Sequence, residues 1–171
     1  MLWLGGALGV LAIPLYALGY CAAARMLLDK GETPGAAGAA RIVGIAGSVA
    51  AIVGAMIHGL TTAYLASEVT AGAPGRDPLA AITQGSPLLV ASWAVAVALV
   101  SCASVAFAWC VGRGGSRLPK RLAWTNPALV TVLLMLIGLP VPLLRAFLTP
   151  AAPNLAHAVF FAALARRRPD D

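Results

Sequence analysis

Long apolar stretches alternate with short polar ones along the whole chain. Four apolar stretches, at residues 2–24, 42–67, 87–111 and 127–144, approach or exceed the length of about 20 residues that crosses a hydrocarbon core of about 30 Å. A shorter apolar stretch at 154–166 runs into consecutive arginines. The pattern predicts an all-α fold, in which residues 1–171 form one polytopic transmembrane helix bundle of four long spans plus a short fifth helix.

Prolines mark the boundary between the fourth and fifth helices. Pro140 and Pro142 are expected to break the fourth helix, because proline lacks a backbone donor and clashes with the preceding turn. We predict a turn at 149–153, after which Asn154 is well placed to cap the last helix. That helix has no polar face, so we interpret it as a span. An interfacial or re-entrant helix is the alternative, because about 12–15 residues are short for a crossing.

The composition calls for an apolar environment around the chain. Of its 171 residues, 60% are hydrophobic and 11% are charged, whereas soluble domains have roughly 45–50% and 25%. A domain of this size leaves much of its surface exposed, so the excess apolar surface is expected to face lipid. A soluble bundle of unusually apolar helices is the alternative, which the length of the stretches disfavours. The first stretch lacks the basic start of a signal peptide, so we expect it to stay in the protein as a span.

The net charge of +6 comes mainly from two alternate loops. The second loop has only Arg76 as a basic residue. The first and third loops contain Arg25, Lys30, Arg41, Arg113, Arg117, Lys120 and Arg121. Because basic loops stay in the cytoplasm, we predict an integral membrane protein with an outside N-terminus and a cytoplasmic C-terminus. The lipid bilayer is thus the expected partner, and no nucleic-acid partner is expected.

Small residues form a stripe along one side of the second span, at about 100° per residue. The members of this stripe are Gly44, Gly47, Ala51 and Gly54. In lipid, such stripes let another helix approach closely, so we predict a role in helix packing. A similar stripe of the first span continues into Tyr16 and Tyr20, and these two faces are predicted to meet.

Polar residues in the predicted outer half of the bundle form the candidate ligand-binding site. They are His58, Glu68, Arg145, Asn154 and His157. Ionisable groups are costly against lipid, so these side chains are expected to turn inward and converge in an outward-facing polar pocket. Each also has a structural explanation: the histidines would fix helix packing, Asn154 would cap a helix, Arg145 would reach the headgroups and Glu68 would mark the end of a span.

No cofactor or metal is predicted from the sequence. The two histidines would suffice as ligands of a haem between helices, but no other feature calls for haem. A zinc site needs three or four ligands, and His58, His157 and Glu68 would supply a bare minimum. The three cysteines fall within spans and are expected to pack as small apolar residues.

Two motifs resemble a family of small bacterial multi-pass proteins that is known only as a domain of unknown function. The first motif is Ile57-His58-Gly59-Leu60-Thr61, and the second combines Asn126-Pro127 with Pro153-Asn154-Leu155-Ala156-His157-Ala158. The resemblance would cover most of the chain, and it implies that His58, Asn154 and His157 are the positions to watch. Family members look longer at the N-terminus, and the sequence leaves open whether a further helix precedes Met1. The resemblance supplies no activity.

Three classes of function are compatible with these features. The first is binding or movement of a small or lipid-like molecule in the outward-facing pocket. The second is a membrane-embedded enzyme in which His58 or His157 acts as general acid or base and Glu68 orients it. The third is an accessory or structural subunit of an oligomer or larger membrane complex. His58 lies on the same side of the second span as the small residues, and it is expected to lie at a similar depth to His157. Both features favour the first class.

Overall fold

Helices account for almost all of the described chain. The computed structural model describes residues 2–28, 34–70 and 87–166, and these ranges contain no strand. The elements are α1 at Leu2–Leu28, α2 at Pro34–Thr70, α3 at Pro87–Gly112, a 3-10 helix η1 at Lys120–Thr125, α4 at Pro127–Gly138 and α5 at Pro142–Ala165. The predicted all-α helical bundle is confirmed.

The last two helices divide the chain differently from the prediction. Helix α4 ends at Gly138 and α5 begins at Pro142, so the expected break at the two prolines is confirmed. The predicted turn at 149–153 is wrong, because α5 continues through it and Asn154 lies inside the helix without capping it. The physical reason is that Pro142 occupies the first turn of α5, where its missing N–H is harmless and its fixed φ favours a helix. Prolines farther along a membrane helix are tolerated when neighbouring groups satisfy the freed carbonyls.

Three helices in the described ranges are long and apolar enough to cross a membrane, by length and composition. The qualifying segments are Val10–Leu28, Pro34–Tyr64 and Pro87–Gly112. Two further apolar segments are shorter: α4 at Pro127–Gly138 and the part of α5 at Ala151–Ala165. A crossing needs about 20 residues. Each of the three long segments is close to that length or exceeds it.

Small side chains fill the interior of the bundle, and large apolar side chains cover its surface. Alanine supplies 11 of the 24 buried apolar residues in the described ranges. In contrast, Leu11, Leu88 and Trp124 are 72%, 72% and 73% exposed. In water the large apolar side chains would be buried, because burial contributes about 25 cal/mol per Å². The distribution therefore fits a surface in contact with lipid, where small residues allow helices to approach.

The largest buried cluster lies at one end of the bundle. Its large members include Tyr20 and Leu27 of α1, Phe107 of α3 and Phe160 of α5. At this end α1, α3 and α5 finish and α2 begins. The exposed basic side chains of the same end are Arg25, Arg41, Arg113, Arg117, Lys120, Arg121 and Arg166. We call it the basic end.

Asn126 determines where α4 begins, at the basic end. Its side-chain oxygen accepts from the N–H of Leu129 at 3.0 Å, and its amide donates to the carbonyl of Ala123 at 2.7 Å. A proline follows at the first helical position, which is the position that suits it. The hydroxyl of Ser104 in α3 accepts from the N–H of Ala128 at 3.1 Å. The start of α4 is therefore held against α3 by a partly buried hydrogen bond.

The stripe of small residues on α2 lies towards α1. Gly44 faces Ala24 of α1, Gly47 faces Tyr20 and Gly54 faces Ile13. Ala51 of the same stripe is buried. The opposite order of the neighbours means that α1 and α2 run antiparallel. The closest approach is at Gly47, where an added Cβ would overlap the ring of Tyr20.

We predict that Gly47→Ala destabilises the protein, whereas Gly38→Ala in the same helix does not. A methyl group at position 47 overlaps the Tyr20 ring, and overpacking costs about 1–3 kcal/mol. At position 38 the methyl group meets nothing within 4 Å, and alanine gains about 1 kcal/mol of helix propensity over glycine. Thermal unfolding of both variants in detergent measures the difference. An unchanged melting temperature for Gly47→Ala would contradict the packing described here.

Candidate functional site

His157 of α5 forms two hydrogen bonds, one of which joins α5 to α1. Its Nδ1 lies 2.7 Å from the carbonyl oxygen of Pro153, one turn earlier in α5. Its Nε2 lies 2.8 Å from the hydroxyl of Tyr20. A carbonyl only accepts, so Nδ1 carries the proton of the neutral ring and Nε2 accepts from the tyrosine O–H. His157 is 8% exposed and Tyr20 is 1% exposed, so the bond between them is shielded from the surroundings.

Tyr16 extends this contact towards the surface. Its ring stacks on the ring of His157, with centroids 4.8 Å apart and planes inclined by 2°. Its hydroxyl donates to the side-chain oxygen of Asn154 over 3.4 Å. Tyr16 is half-buried and Asn154 is exposed. The Tyr–His–Asn network, consisting of Tyr16, Tyr20, Asn154 and His157, therefore runs from the interior of the bundle to its surface.

Phenylalanine rings surround the buried end of the network. Phe161 meets the Tyr20 ring edge-on, with centroids 5.6 Å apart, and Phe160 meets Phe107 of α3 edge-on at 4.9 Å. Such pairs stabilise by about 0.5–1.5 kcal/mol beyond the burial of their area. Gly19 makes room for one of them, since a Cβ there would lie 2.5 Å from the Phe161 ring. The aromatic contacts thus continue from α1 through α5 to α3.

Helical periodicity explains why these side chains meet. Tyr16 and Tyr20 lie one turn apart on α1, and Asn154 and His157 lie about one turn apart on α5. Residues three or four apart occupy the same face of a helix. Two short polar stripes therefore oppose each other across one helix–helix interface.

The structure brings Asn154 and His157 together and does not bring His58 to them. Tyr20, the partner of His157, lies against Gly47. His58 is eleven residues farther along α2, which corresponds to about 16 Å at 1.5 Å per residue. The expected match in depth between the two histidines is therefore not observed. His58 is half-buried, nearer the end of the bundle opposite the basic end.

Glu68 lies in the last turn of α2, and Arg145 lies in the first turn of α5. Both positions are remote from the basic end. Their side chains lie outside the part of the structure that is described. Their predicted participation in a ligand site stays a prediction.

Two residues of the network have a role that sequence reasoning missed. The stripe of the first span predicts Tyr16 and Tyr20 as packing residues, without indicating that their hydroxyls bond Asn154 and His157. The available signal was the match between two polar pairs with helical spacing, one on α1 and one on α5. No feature of the sequence indicated the position of Phe161, because that position depends on a close approach to Gly19.

The chemistry that the network offers is hydrogen bonding at the edge of an apolar surface. Both ring nitrogens of His157 are engaged within the protein, so the outward-facing polar groups are those of Tyr16 and Asn154. Among the residues whose side chains the structure describes, no three His, Cys, Asp or Glu residues are grouped so as to hold a metal ion. The candidate site is therefore the exposed edge of the network.

Comparison with known proteins identifies the family of the chain. A family model with the description "Family of unknown function (DUF6796)" matches residues 2–167. Because the match covers nearly the whole chain, the chain belongs to this family. No curated protein and no solved structure matches the chain. The resemblance to a domain of unknown function is confirmed. The description of the family names no activity.

We predict that Tyr20→Phe lowers stability more than Tyr16→Phe. Loss of the Tyr20 hydroxyl leaves the Nε2 atom of His157 buried without its partner, which costs about 1–3 kcal/mol. The hydroxyl of Tyr16 makes a longer bond, 3.4 Å, to an exposed side chain, so its loss is expected to cost about 0.5 kcal/mol. Thermal unfolding in one detergent compares the variants, both of which keep the ring. Equal melting temperatures would argue against a stabilising role of the buried bond.

Proposed function

We propose that this family member is a multi-pass integral protein of a bacterial plasma membrane that binds or moves a small or lipid-like molecule at the exposed edge of the Tyr–His–Asn network. The observation that carries the proposal is a polar pair, Tyr16 and Asn154, at the surface of an otherwise apolar bundle. Polar residues facing lipid are costly and therefore rare, and those that occur in membrane helices generally serve a function.

Two tryptophans of α3 support a membrane crossing. Trp93 and Trp109 are 46% and 48% exposed. Sixteen residues separate them, which is about 24 Å along a helix. Tryptophan is enriched at both interfaces of a bilayer whose hydrocarbon core is about 30 Å thick. The spacing fits one tryptophan near each interface, with α3 across the bilayer.

The direction of the helices supports the proposed orientation. Helices α1 and α5 both finish at the basic end, so α1 starts at the opposite end. Basic segments are retained in the cytoplasm. The proposed topology therefore has the N-terminus outside and the C-terminus in the cytoplasm.

The polar pair lies near the middle of the apolar surface. Phe107, two residues before Trp109, packs edge-on against Phe160 of α5. Six residues of α5, about 9 Å, lead from Phe160 back to Asn154. Asn154 is therefore roughly midway between the levels of the two tryptophans, at a depth where a bilayer holds no water to satisfy it.

The side-chain amide of Asn154 suggests the class of ligand. Its side-chain oxygen accepts from Tyr16, and its amide nitrogen has no partner among the residues that the structure describes. Leu155 and Val159 of the same helix are exposed apolar neighbours. A molecule with a largely apolar body and one carbonyl or hydroxyl acceptor would match both features. We therefore favour a lipid-like ligand over a soluble one.

We predict that a C-terminal fusion to green fluorescent protein is fluorescent and that a fusion to periplasmic alkaline phosphatase is inactive. The first reporter folds in the cytoplasm and the second only outside it, and the C-terminus follows the basic end. The chain is also expected to stay in the membrane pellet after an alkaline carbonate wash. An active phosphatase fusion would refute the orientation, and release into the aqueous fraction would refute the membrane assignment.

We predict that the wild-type protein purified in mild detergent retains a lipid-like molecule that Asn154→Leu loses. Leucine keeps the approximate size of the side chain and removes the amide. Mass spectrometry of organic extracts is expected to show at least a fivefold lower yield of that molecule per protein. Ser92→Ala is the matched control, because the Ser92 hydroxyl also lies on a long apolar helix but donates to the Leu88 carbonyl of its own helix at 2.8 Å.

Two outcomes would overturn the ligand proposal. The first is equal retention of the molecule by Asn154→Leu and wild type. The second is a wild-type dimer in detergent, free of any bound molecule, that Asn154→Leu converts to a monomer. That result would mean that a second copy of the chain satisfies the amide, as polar residues do between membrane helices.

A further inference from the structure

We propose that the basic end of the bundle carries a preformed binding surface for the headgroup of an anionic phospholipid. The surface is separate from the Tyr–His–Asn network and is formed by the segment that joins α3 to α4. We call it the basic cradle, and it consists of Trp109, Arg113, Arg117, Lys120, Arg121 and Trp124. The four cations and Trp109 and Trp124 are all exposed.

The segment that carries the cradle begins with a closed helix terminus. The N–H of Gly114 donates to the carbonyl of Val111 at 3.0 Å, and that of Gly115 donates to the carbonyl of Cys110 at 2.8 Å. Gly114 has a φ of 74°, a left-handed conformation that suits glycine at the end of a helix. The chain therefore leaves α3 in a defined direction.

Buried anchors alternate with the exposed cations along this segment. The N–H of Leu118 donates to the hydroxyl of Ser116 at 3.3 Å, and both residues are buried on either side of Arg117. Leu122 is buried in the main cluster, directly after Lys120 and Arg121. Retention of a loop in the cytoplasm requires charge and no defined geometry. Here the anchors fix the backbone from which the cations extend, which is what a binding surface requires.

Aromatic side chains identify the occupant as a membrane lipid. The guanidinium of Arg113 lies 5.0 Å from the centroid of the Trp109 ring, within the range of a cation–π interaction. Trp124 projects from η1 at the same end of the bundle. Tryptophan prefers the headgroup level of a bilayer, where anionic lipids present phosphate. A free anion in water would make no use of these rings.

All charged residues in the part of the chain that carries the cradle are basic. The sequence from Pro87 to Arg166 contains no Asp or Glu. Arginine matches the geometry of phosphate with paired donors, and lysine adds a point charge. An anionic headgroup is therefore the complementary partner, and a zwitterionic headgroup is expected to bind more weakly.

The test uses the full chain purified in a neutral detergent and titrated with short-chain phosphatidylglycerol or phosphatidylcholine. Native mass spectrometry counts the bound lipids, and tryptophan fluorescence follows the titration. We expect phosphatidylglycerol to bind at least tenfold more tightly than phosphatidylcholine. Arg117→Gln/Arg121→Gln is expected to weaken phosphatidylglycerol binding at least fivefold and to leave phosphatidylcholine binding unchanged.

The matched control is Arg25→Gln/Arg41→Gln, which removes the same charge from exposed residues of the basic end outside the cradle. An equal loss in both double variants would overturn the proposal, because bulk charge alone would then explain binding. Competition by inorganic phosphate as strong as that by phosphatidylglycerol would also overturn it in favour of a free anion. Thermal unfolding confirms that each variant is folded. Trp124→Ala, at an exposed position, serves as a second variant and is expected to weaken phosphatidylglycerol binding too.

Discussion

The close approach of α1 to α2 is the constraint on which the rest of the structure depends. The ring of Tyr20 lies directly on the backbone of Gly47, where any side chain would displace it. In this position its hydroxyl meets Nε2 of His157, and its ring meets the edge of Phe161. The Tyr20 side chain of α1 therefore connects three helices, because it packs on α2 and forms a hydrogen bond with α5. The absence of a side chain at Gly47 is thus a requirement for a contact between the first and last helices.

A lipid environment explains why so few contacts organise this bundle. Lipid tails are as apolar as leucine, so burying large side chains between helices gains little, and close packing and hydrogen bonds decide which helices meet. Alanine is accordingly the commonest buried apolar residue, and the bonds between helices come from isolated polar groups. Ser104 accepts from the start of α4, and Tyr20 donates to His157 in α5. Each bond identifies one partner helix among several apolar alternatives.

The helices could be predicted from the sequence, and the partners across the bundle could not. Apolar length and proline chemistry correctly indicated an all-α fold with a break before Pro142. Pro150 and Pro153 suggested a second break before Asn154, because sequence alone does not reveal that α5 has already started. Because the last helix was expected to start at Asn154, His157 was expected to lie at the same depth in the membrane as His58. The bond between Tyr20 and His157 joins residues 137 positions apart, and only the packing at a glycine determines it.

The Tyr–His–Asn network connects the interior of the bundle to the proposed binding site at its exposed edge. Because both nitrogens of His157 are engaged, its ring has one orientation, and Tyr16 stacks on that ring. The hydroxyl that meets Asn154 is therefore positioned by bonds made deeper in the bundle, so a ligand at the surface would meet polar groups that are already oriented. The buried cluster that contains Tyr20 also contains Leu122, the anchor of the basic cradle. A headgroup held on the cradle would thus stabilise the same cluster that orients the polar pair, since ligands that bind only the folded arrangement stabilise it.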